Sequence, residues 1–167
     1  SDIARIGFAM GQKGTCSRLL TTVFGAPITY ASFGDAVAPG QLSMDVLMNC
    51  YRVPELNDGC LIYGIAGKDV NHSRELEVMN QQLKKKQVNT VCIPLESLDL
   101  DELLAIMEDL NIKGVQLEDP LKEIAIDKFS GSGSFPGTSV FMEISSFHGK
   151  QEIHIHPISG EKFFEHL

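Results

Sequence analysis

The chain has 167 residues, of which 43% are hydrophobic and 22% charged. This length fits one domain or two small ones, and this hydrophobic fraction predicts a folded core. The formal net charge of -8 argues against a nucleic-acid or anionic-membrane partner, because both need a basic face, but it leaves an anionic small substrate open.

No apolar run approaches the roughly 20 residues that a spanning helix needs. The first residues, SDIARIGFAMG, lack a basic segment followed by a long apolar stretch, so we expect no secretory signal. The four cysteines are far apart and form no CxxC pair, which favours reduced, buried thiols. Together these features predict a cytoplasmic protein, or a plastid one if the source is a plant.

The first third of the chain alternates strand-like and helix-like patterns. Residues 4–9 predict a strand, residues 15–24 a helix closed by Gly25, and residues 28–33 a second strand. Ser43 is placed to cap a helix over residues 43–51. The polar segment that follows, YRVPELNDG, is the predicted boundary between two modules.

The second part continues the alternation, which predicts parallel strands joined by crossover helices. The predicted strands cover residues 60–65, 90–94 and 113–117, and the predicted helices cover 74–86, 100–110 and 122–129. Residues 130–139 (SGSGSFPGTS) have the composition of a linker. The segments SVFMEISSF and QEIHIHPIS, separated by residues 148–150, then predict a β-hairpin.

Two motifs in the first part, FAMGQKGTCSR and APGQLS, resemble the last two βα units of type I dehydroquinate dehydratase, an eight-stranded βα barrel that uses a Schiff-base lysine and a catalytic histidine. The resemblance implies that Arg18 binds the substrate carboxylate and that Gln41 closes over the substrate. A guanidinium can hold a carboxylate with two parallel hydrogen bonds. Without the motif, Arg18 would be interpreted as a surface helix residue.

Two departures from that family bear on activity. The family usually has serine where this chain has Val37, which removes one hydroxyl contact. No lysine of this chain matches the imine-forming one, and two βα units cannot close a barrel. We therefore do not expect this chain to catalyse the dehydration by itself.

Residues 60–123 resemble the opening of shikimate dehydrogenase, through the motifs GIAGKDVNHS and EDPLKE. The resemblance implies that Ser73 binds the shikimate carboxylate and that Lys122 is catalytic. Glu75 replaces a second serine of the family, and a carboxylate there would repel the substrate by about 1–4 kcal/mol. Gln116 and Glu118 replace the family's asparagine and threonine.

The dehydrogenase resemblance implies NADP as cofactor. The family places its dinucleotide-binding domain after this region, and the glycine-rich SGSGSFPGTS lacks the G-x-G-x-x-G spacing and contains Pro136. We assign no cofactor-binding residue to this chain. His154 and His156 fall on one face of a strand and could bind a metal, but an exposed edge-strand face is the favoured interpretation, and we predict no metal site.

The predicted fold class is α/β: βα units of a partial TIM-type barrel over residues 1–53, a parallel-sheet substrate-domain fragment over 60–129, and a linker with a β-rich tail over 130–167. The predicted function is that of a shikimate-pathway enzyme or a fragment of one, which dehydrates 3-dehydroquinate and/or reduces 3-dehydroshikimate. Its expected partners are small carboxylate substrates, further copies of the chain, or domains outside it. The alternative is a non-catalytic relative that binds a metabolite or associates with itself.

Overall fold

The structure is a computed structural model that describes residues 6–34, 38–129, 139–147 and 150–158. An open five-stranded sheet is its centre, with strand order β2-β1-β3-β4-β5. The strands are β1 (Leu61–Gly67), β2 (Thr90–Glu96), β3 (Gly114–Leu117), β4 (Ser139–Phe147) and β5 (Lys150–Ile158). β1 pairs in parallel with both β2 and β3, whereas β4 and β5 are antiparallel, so the predicted α/β class with a parallel sheet and a terminal hairpin is confirmed.

The three helices that follow β1, β2 and β3 match the predicted pattern closely. They are α2 (Arg74–Lys86), α3 (Leu100–Asp109) and α4 (Leu121–Phe129), numbered after a first helix α1 (Thr15–Leu20). Ser73 caps α2 by accepting a hydrogen bond from the backbone of Glu75, and Asp99 caps α3 by accepting from two backbone N–H groups. Lysines in the last turn of α2 complement the negative end of its dipole. Among the described residues, no helix is long and apolar enough to cross a membrane.

The helices cover both faces of the sheet, because successive side chains of a strand point to opposite faces. On one face Ile65, Cys92 and Phe141 pack with the buried stripe of α2. On the other face lies a larger core, here called the main core, which combines sheet residues with α1, α3 and α4. Its members include Leu19, Leu20, Val91, Ile93, Leu103, Val115 and Leu121.

The first part of the chain differs from its prediction. Helix α1 ends at Leu20, and residues 21–25 follow it as turns in place of the predicted helix to residue 24. The turns close at Gly25, at φ 86°, where Ala26 N–H bonds back to the carbonyl of Thr21. Residues 6–10 and 28–31 form no strand, and the predicted strand 28–33 is reduced to one bridge between Ser32 and Ser43.

These strands are missing because a β-strand forms only where its backbone groups hydrogen-bond to a neighbouring strand. The β-rich composition of residues 28–33 meets no partner strand among the described residues, apart from the hydrogen bonds of Ser32 with Leu42 and Met44. The predicted helix over 43–51 is also shorter, and it contains the π-helical turn Val46–Cys50. Residues 4–5 lie outside the described part of the chain.

The β-rich tail continues the sheet. β4 pairs with β3 from Gly114↔Glu143 to Leu117↔Val140, and β5 starts at Lys150, one residue earlier than predicted. The hairpin therefore packs against the same main core as the parallel strands, through Val140 and Met142. Most of the predicted linker, residues 130–138, lies outside the described residues, and the predicted domain boundaries stay a prediction.

The outer edge of β2 is protected by side chains. Asn80 of α2 accepts from Cys92 N–H at 3.1 Å and donates to the Cys92 carbonyl at 2.8 Å, while Arg52 donates to the Thr90 carbonyl at 2.9 Å. Pro94 has no N–H to offer. These contacts use the groups that an additional strand would need, so this edge resists pairing with another chain.

We predict that Asn80→Ala lowers the free energy of unfolding by roughly 2–4 kcal/mol, because it leaves the buried N–H and carbonyl of Cys92 without partners. Gln81→Ala, which removes an exposed amide from the same helix, should change it by less than about 0.5 kcal/mol. Urea denaturation of both variants measures the difference. Equal stability of the two variants would contradict the role given to Asn80.

Candidate functional site

Arg18, the predicted carboxylate ligand, lies on α1 and is only 3% exposed. Its guanidinium carbon lies 4.4 Å from the ring centroid of Phe8, and Nη2 donates to Met10 Sδ at 3.6 Å. Its Nε has no hydrogen-bond partner, and no carboxylate pairs with the group among the described residues. A buried guanidinium held by an aromatic ring and a thioether retains strong donors for an anion.

Aromatic side chains and backbone hold Arg18 in place. Phe8 packs edge-on against Tyr30, with ring centroids 5.5 Å apart, and Thr29 Oγ1 donates to the Arg18 carbonyl at 2.8 Å. Residues 28–31 therefore support the arginine although they form no strand. Met10, which covers Nη2, is 68% exposed and so can move aside without disturbing the core.

The structure brings the second motif, APGQLS, onto the first. Gly40 approaches Gly11 so closely that an added Cβ would lie 2.0 Å from the Gly11 carbonyl oxygen and 3.1 Å from Thr15 Oγ1. Gln41 follows directly, with its N–H bonded to the Ala38 carbonyl at 3.0 Å. The loop that carries Gln41 is thus fixed against the loop and helix that carry Arg18. Val37 lies outside the described residues.

Ser73 is placed at the N-terminus of α2, after the carboxyl end of β1. Its hydroxyl accepts from Glu75 N–H at 3.2 Å and donates to Glu75 Oε2 at 2.7 Å. The hydrogen bond from Ser73 is the main reason that the pKa of Glu75 is lowered. The Glu75 carboxylate therefore accepts the hydrogen bond from Ser73 that the resemblance assigns to the shikimate carboxylate.

Lys122 lies in the first turn of α4, after the carboxyl end of β3. Its Nζ is 3.3 Å from Asp119 Oδ1, and the side chain is 24% exposed. Gln116 donates to Glu118 at 2.9 Å. Because β1 and β3 are neighbouring parallel strands, Ser73 and Lys122 follow the same edge of the sheet.

A cleft of about 520 Å³ opens at the carboxyl ends of β1 and β2, and sequence patterns did not reveal it. It is lined by residues 10–13 of the first part, by Lys68 and Asp69 after β1, and by residues 96–98 after β2. Asn71 joins its walls by donating to the Gln12 carbonyl at 3.3 Å and to the Glu96 carboxylate. The signal that could have found it is the rule that open parallel sheets bind ligands beyond their carboxyl ends.

The described residues contain neither a metal-ligand cluster nor a cysteine with a lowered pKa. His154 and His156 stack with ring centroids 6.2 Å apart on the exposed face of β5, and no group of three or more metal-ligating side chains occurs in the described ranges. The four cysteines are free, but only Cys92 is buried, whereas all four were predicted to be buried. Burial raises the pKa of Cys50 and of Cys60 to about 11, so these thiols stay protonated at neutral pH.

The described residues do not fit a dinucleotide. The turn that follows β1 carries Lys68 and Asp69, with Asp69 at φ 56°, where a dinucleotide-binding turn would have glycines beside a helix N-terminus. The other glycine-rich stretch falls in residues 130–138, outside the described part. No step of the chemistry is therefore assigned to NADP in this chain.

Comparison with known proteins gives a consistent result. Residues 1–58 match the family model of type I 3-dehydroquinase. The bifunctional 3-dehydroquinate dehydratase/shikimate dehydrogenase of Arabidopsis thaliana chloroplasts is 30% identical over 128 residues, which cover 75% of this chain and 21% of that protein. The 3-dehydroquinate dehydratase of Methanocaldococcus jannaschii is 42% identical over 52 residues, which cover 30% of this chain and 24% of that protein.

A solved structure of the dehydroquinate dehydratase and shikimate dehydrogenase from S. pombe aligns with 87% of this chain and 28% of its own, at 21% identity and a TM-score of 0.47. By sequence, residues 1–58 are similar to the type I 3-dehydroquinase family. More particularly, the sequence matches confirm the double resemblance, because the chain is similar to part of a bifunctional 3-dehydroquinate dehydratase/shikimate dehydrogenase. It spans about a fifth of the length of that relative.

We predict that Gly40→Ala destabilises the protein by more than about 2 kcal/mol, since it combines a positive φ of 75° with a backbone clash. Gly59→Ala is the matched control, because the nearest atom to its added Cβ is 3.5 Å away. Thermal unfolding of both variants checks the prediction. A Gly40→Ala variant as stable as the control would contradict the close packing of the two motifs.

Proposed function

We propose that the chain is part of a shikimate-pathway enzyme that dehydrates 3-dehydroquinate and/or reduces 3-dehydroshikimate to shikimate, and that Arg18 binds the substrate carboxylate. The observation that carries this proposal is the burial of Arg18 without an anionic partner among the described residues. The matches to enzymes named for these two activities support it.

Burial explains why Arg18 needs a ligand. Removing a guanidinium from water costs several kcal/mol unless an anion and well-placed hydrogen bonds repay it. The Phe8 ring and the Met10 sulfur offset only part of this desolvation free energy, because neither carries a full negative charge. A substrate carboxylate could accept from Nε and Nη2 together after Met10 moves aside.

The other predicted residues have supporting roles in this proposal. Gln41, held beside Gly40, would bind substrate hydroxyls through its amide. For the second substrate, the carboxylate must displace Glu75 from Ser73 or bind beside it. The Lys122 ammonium would donate a proton to the oxygen of the substrate carbonyl, while the hydride for its carbon would come from reduced NADP. We propose the cytoplasm, or a plastid in a plant, as the place of action.

The second candidate function is a non-catalytic module that binds a metabolite or associates with itself. One observation favours self-association. Eight of the twelve exposed large hydrophobic side chains of the described residues lie between residues 6 and 48, and Phe33 is fully exposed. Exposed apolar side chains that form a contiguous patch are typical of an interface.

The first experiment measures binding of shikimate and quinate to the chain by calorimetry, together with turnover of 3-dehydroquinate. We expect Arg18→Met to weaken binding by about 30- to 150-fold, since a charge-assisted pair contributes about 2–3 kcal/mol. Arg18→Lys should retain only part of the wild-type affinity, because the lysine ammonium lacks the planar guanidinium that forms two parallel hydrogen bonds. The exposed Lys85→Met, in the last turn of α2, is the control.

Unchanged affinity in a folded Arg18→Met variant would contradict the carboxylate role. Binding without turnover by the chain would support the metabolite-binding candidate for this chain alone.

For self-association, we predict a dimer in sedimentation equilibrium that Phe33→Ser shifts towards monomer, because the change removes an exposed ring from the apolar surface. The control is Val78→Ser, an exposed apolar residue of α2, which packs on the opposite face of the sheet from α1. A wild-type chain that stays monomeric at millimolar concentration would contradict the proposed self-association.

A further inference from the structure

The cleft beyond β1 and β2 adjoins the Arg18 site at Met10, which lines the cleft and also accepts a hydrogen bond from Arg18 Nη2. Neither Arg18 and Gln41 nor Ser73 and Lys122 line it. Its volume of about 520 Å³ lies within the range of small-molecule sites. It is built from three separate segments, so a ligand in it would contact both parts of the chain at once.

The charged side chains of the cleft are available to a ligand. Lys68 and Asp69 are exposed and make no ion pair or side-chain hydrogen bond among the described residues. Asp69 has φ 56°, the left-handed conformation that aspartate tolerates better than most residues, and this fixes the turn that presents both side chains. The ammonium of Lys68 can bind a carboxylate, and the carboxylate of Asp69 can accept from hydroxyls.

The opposite wall supplies further acceptors and an apolar surface. Glu96 is oriented by the Asn71 amide, and Asn71 Oδ1 is buried without a hydrogen-bond partner in the described part of the chain. Met10 and Leu98 are both more than half exposed and border the same opening. An aliphatic ring could lie between them, while its hydroxyls reach the carboxylates.

We propose that this cleft is a second binding site, for a small cyclic carboxylate that carries several hydroxyl groups. Lys68 binds the carboxylate, and Asp69 and Glu96 accept hydrogen bonds from the hydroxyls. The choice of ring carboxylates rests on the proposed function, since compounds of this class are the substrates and products of that chemistry. Occupancy also bridges residues 10–13 to the sheet and stabilises their contact.

The test is an NMR titration of the ¹⁵N-labelled chain with shikimate and quinate. We expect the backbone amides of Lys68, Asp69 and Ser97 to shift in a saturable way. Lys68→Met and Asp69→Asn should each weaken this response at least about tenfold, as expected when a charged hydrogen-bond partner is lost. Both variants should fold, because neither side chain makes a contact that the fold needs, and asparagine tolerates the left-handed turn. Lys84→Met, at the far end of α2, is the control.

Two further probes test the ligand class. Cyclohexanecarboxylate lacks the hydroxyls and myo-inositol lacks the carboxylate, so each should bind at least about tenfold more weakly than shikimate. Amides of the cleft that do not respond to shikimate or quinate overturn the proposal, as does an unchanged response in both variants. If cyclohexanecarboxylate binds as tightly as shikimate, the claim that Asp69 and Glu96 recognise hydroxyl groups is overturned. Repeating the titration with the Arg18→Met variant separates this proposal from the proposed substrate site, because the cleft amides should respond to shikimate in that variant as they do in the wild-type chain.

Discussion

The packing of α1 against the sheet is the contact on which the rest of the structure depends. Leu19 and Leu20 of α1 are 1% exposed and share the main core with Val91 and Ile93 of β2. Burying such side chains contributes about 1.5–3 kcal/mol each, which makes this contact stronger than the polar ones around it. Two stretches that resemble different enzymes are thereby combined in one hydrophobic core.

Polar contacts complete this junction at its rim. Lys13 Nζ lies 2.9 Å from both carboxylate oxygens of Glu102, and Ser97 also donates to that carboxylate at 2.6 Å. The hydrogen bond from Ser97 and then that from Lys13 lower the pKa of Glu102. A carboxylate with a lowered pKa stabilises the fold above its ordinary pKa, and this contribution is lost as the pH falls through the folded-state pKa. The junction should therefore weaken in acid, but only modestly, because the pair is exposed to solvent.

The sequence predicted those elements whose signals are local. α2 begins at the Ser73 cap and carries a buried stripe of Leu76, Met79 and Leu83, and both features are visible in the pattern. The hairpin of β4 and β5 was likewise predicted by alternation and a short turn. The strand predicted over residues 28–33 failed because strand formation depends on a neighbour, which no local pattern supplies.

The same distinction applies to the candidate sites. Motif resemblance identified Arg18 and Gln41, but their mutual packing through Gly40 and Gly11 required the tertiary structure. Resemblance also selected Ser73, and only the structure shows that Glu75 occupies its hydroxyl. The cleft beside Lys68 was not predicted, because its walls come from three segments far apart in sequence.

The central claim is that the buried Arg18 guanidinium is a receptor for a substrate carboxylate. The side-chain Nε–H resonance of Arg18 tests it most directly, because this group has no partner in the described structure and would acquire one in the complex. On titration with quinate, we expect a saturable downfield shift of this resonance and slower exchange of its proton with water. A resonance that stays unchanged while the protein is saturated with quinate would contradict the claim.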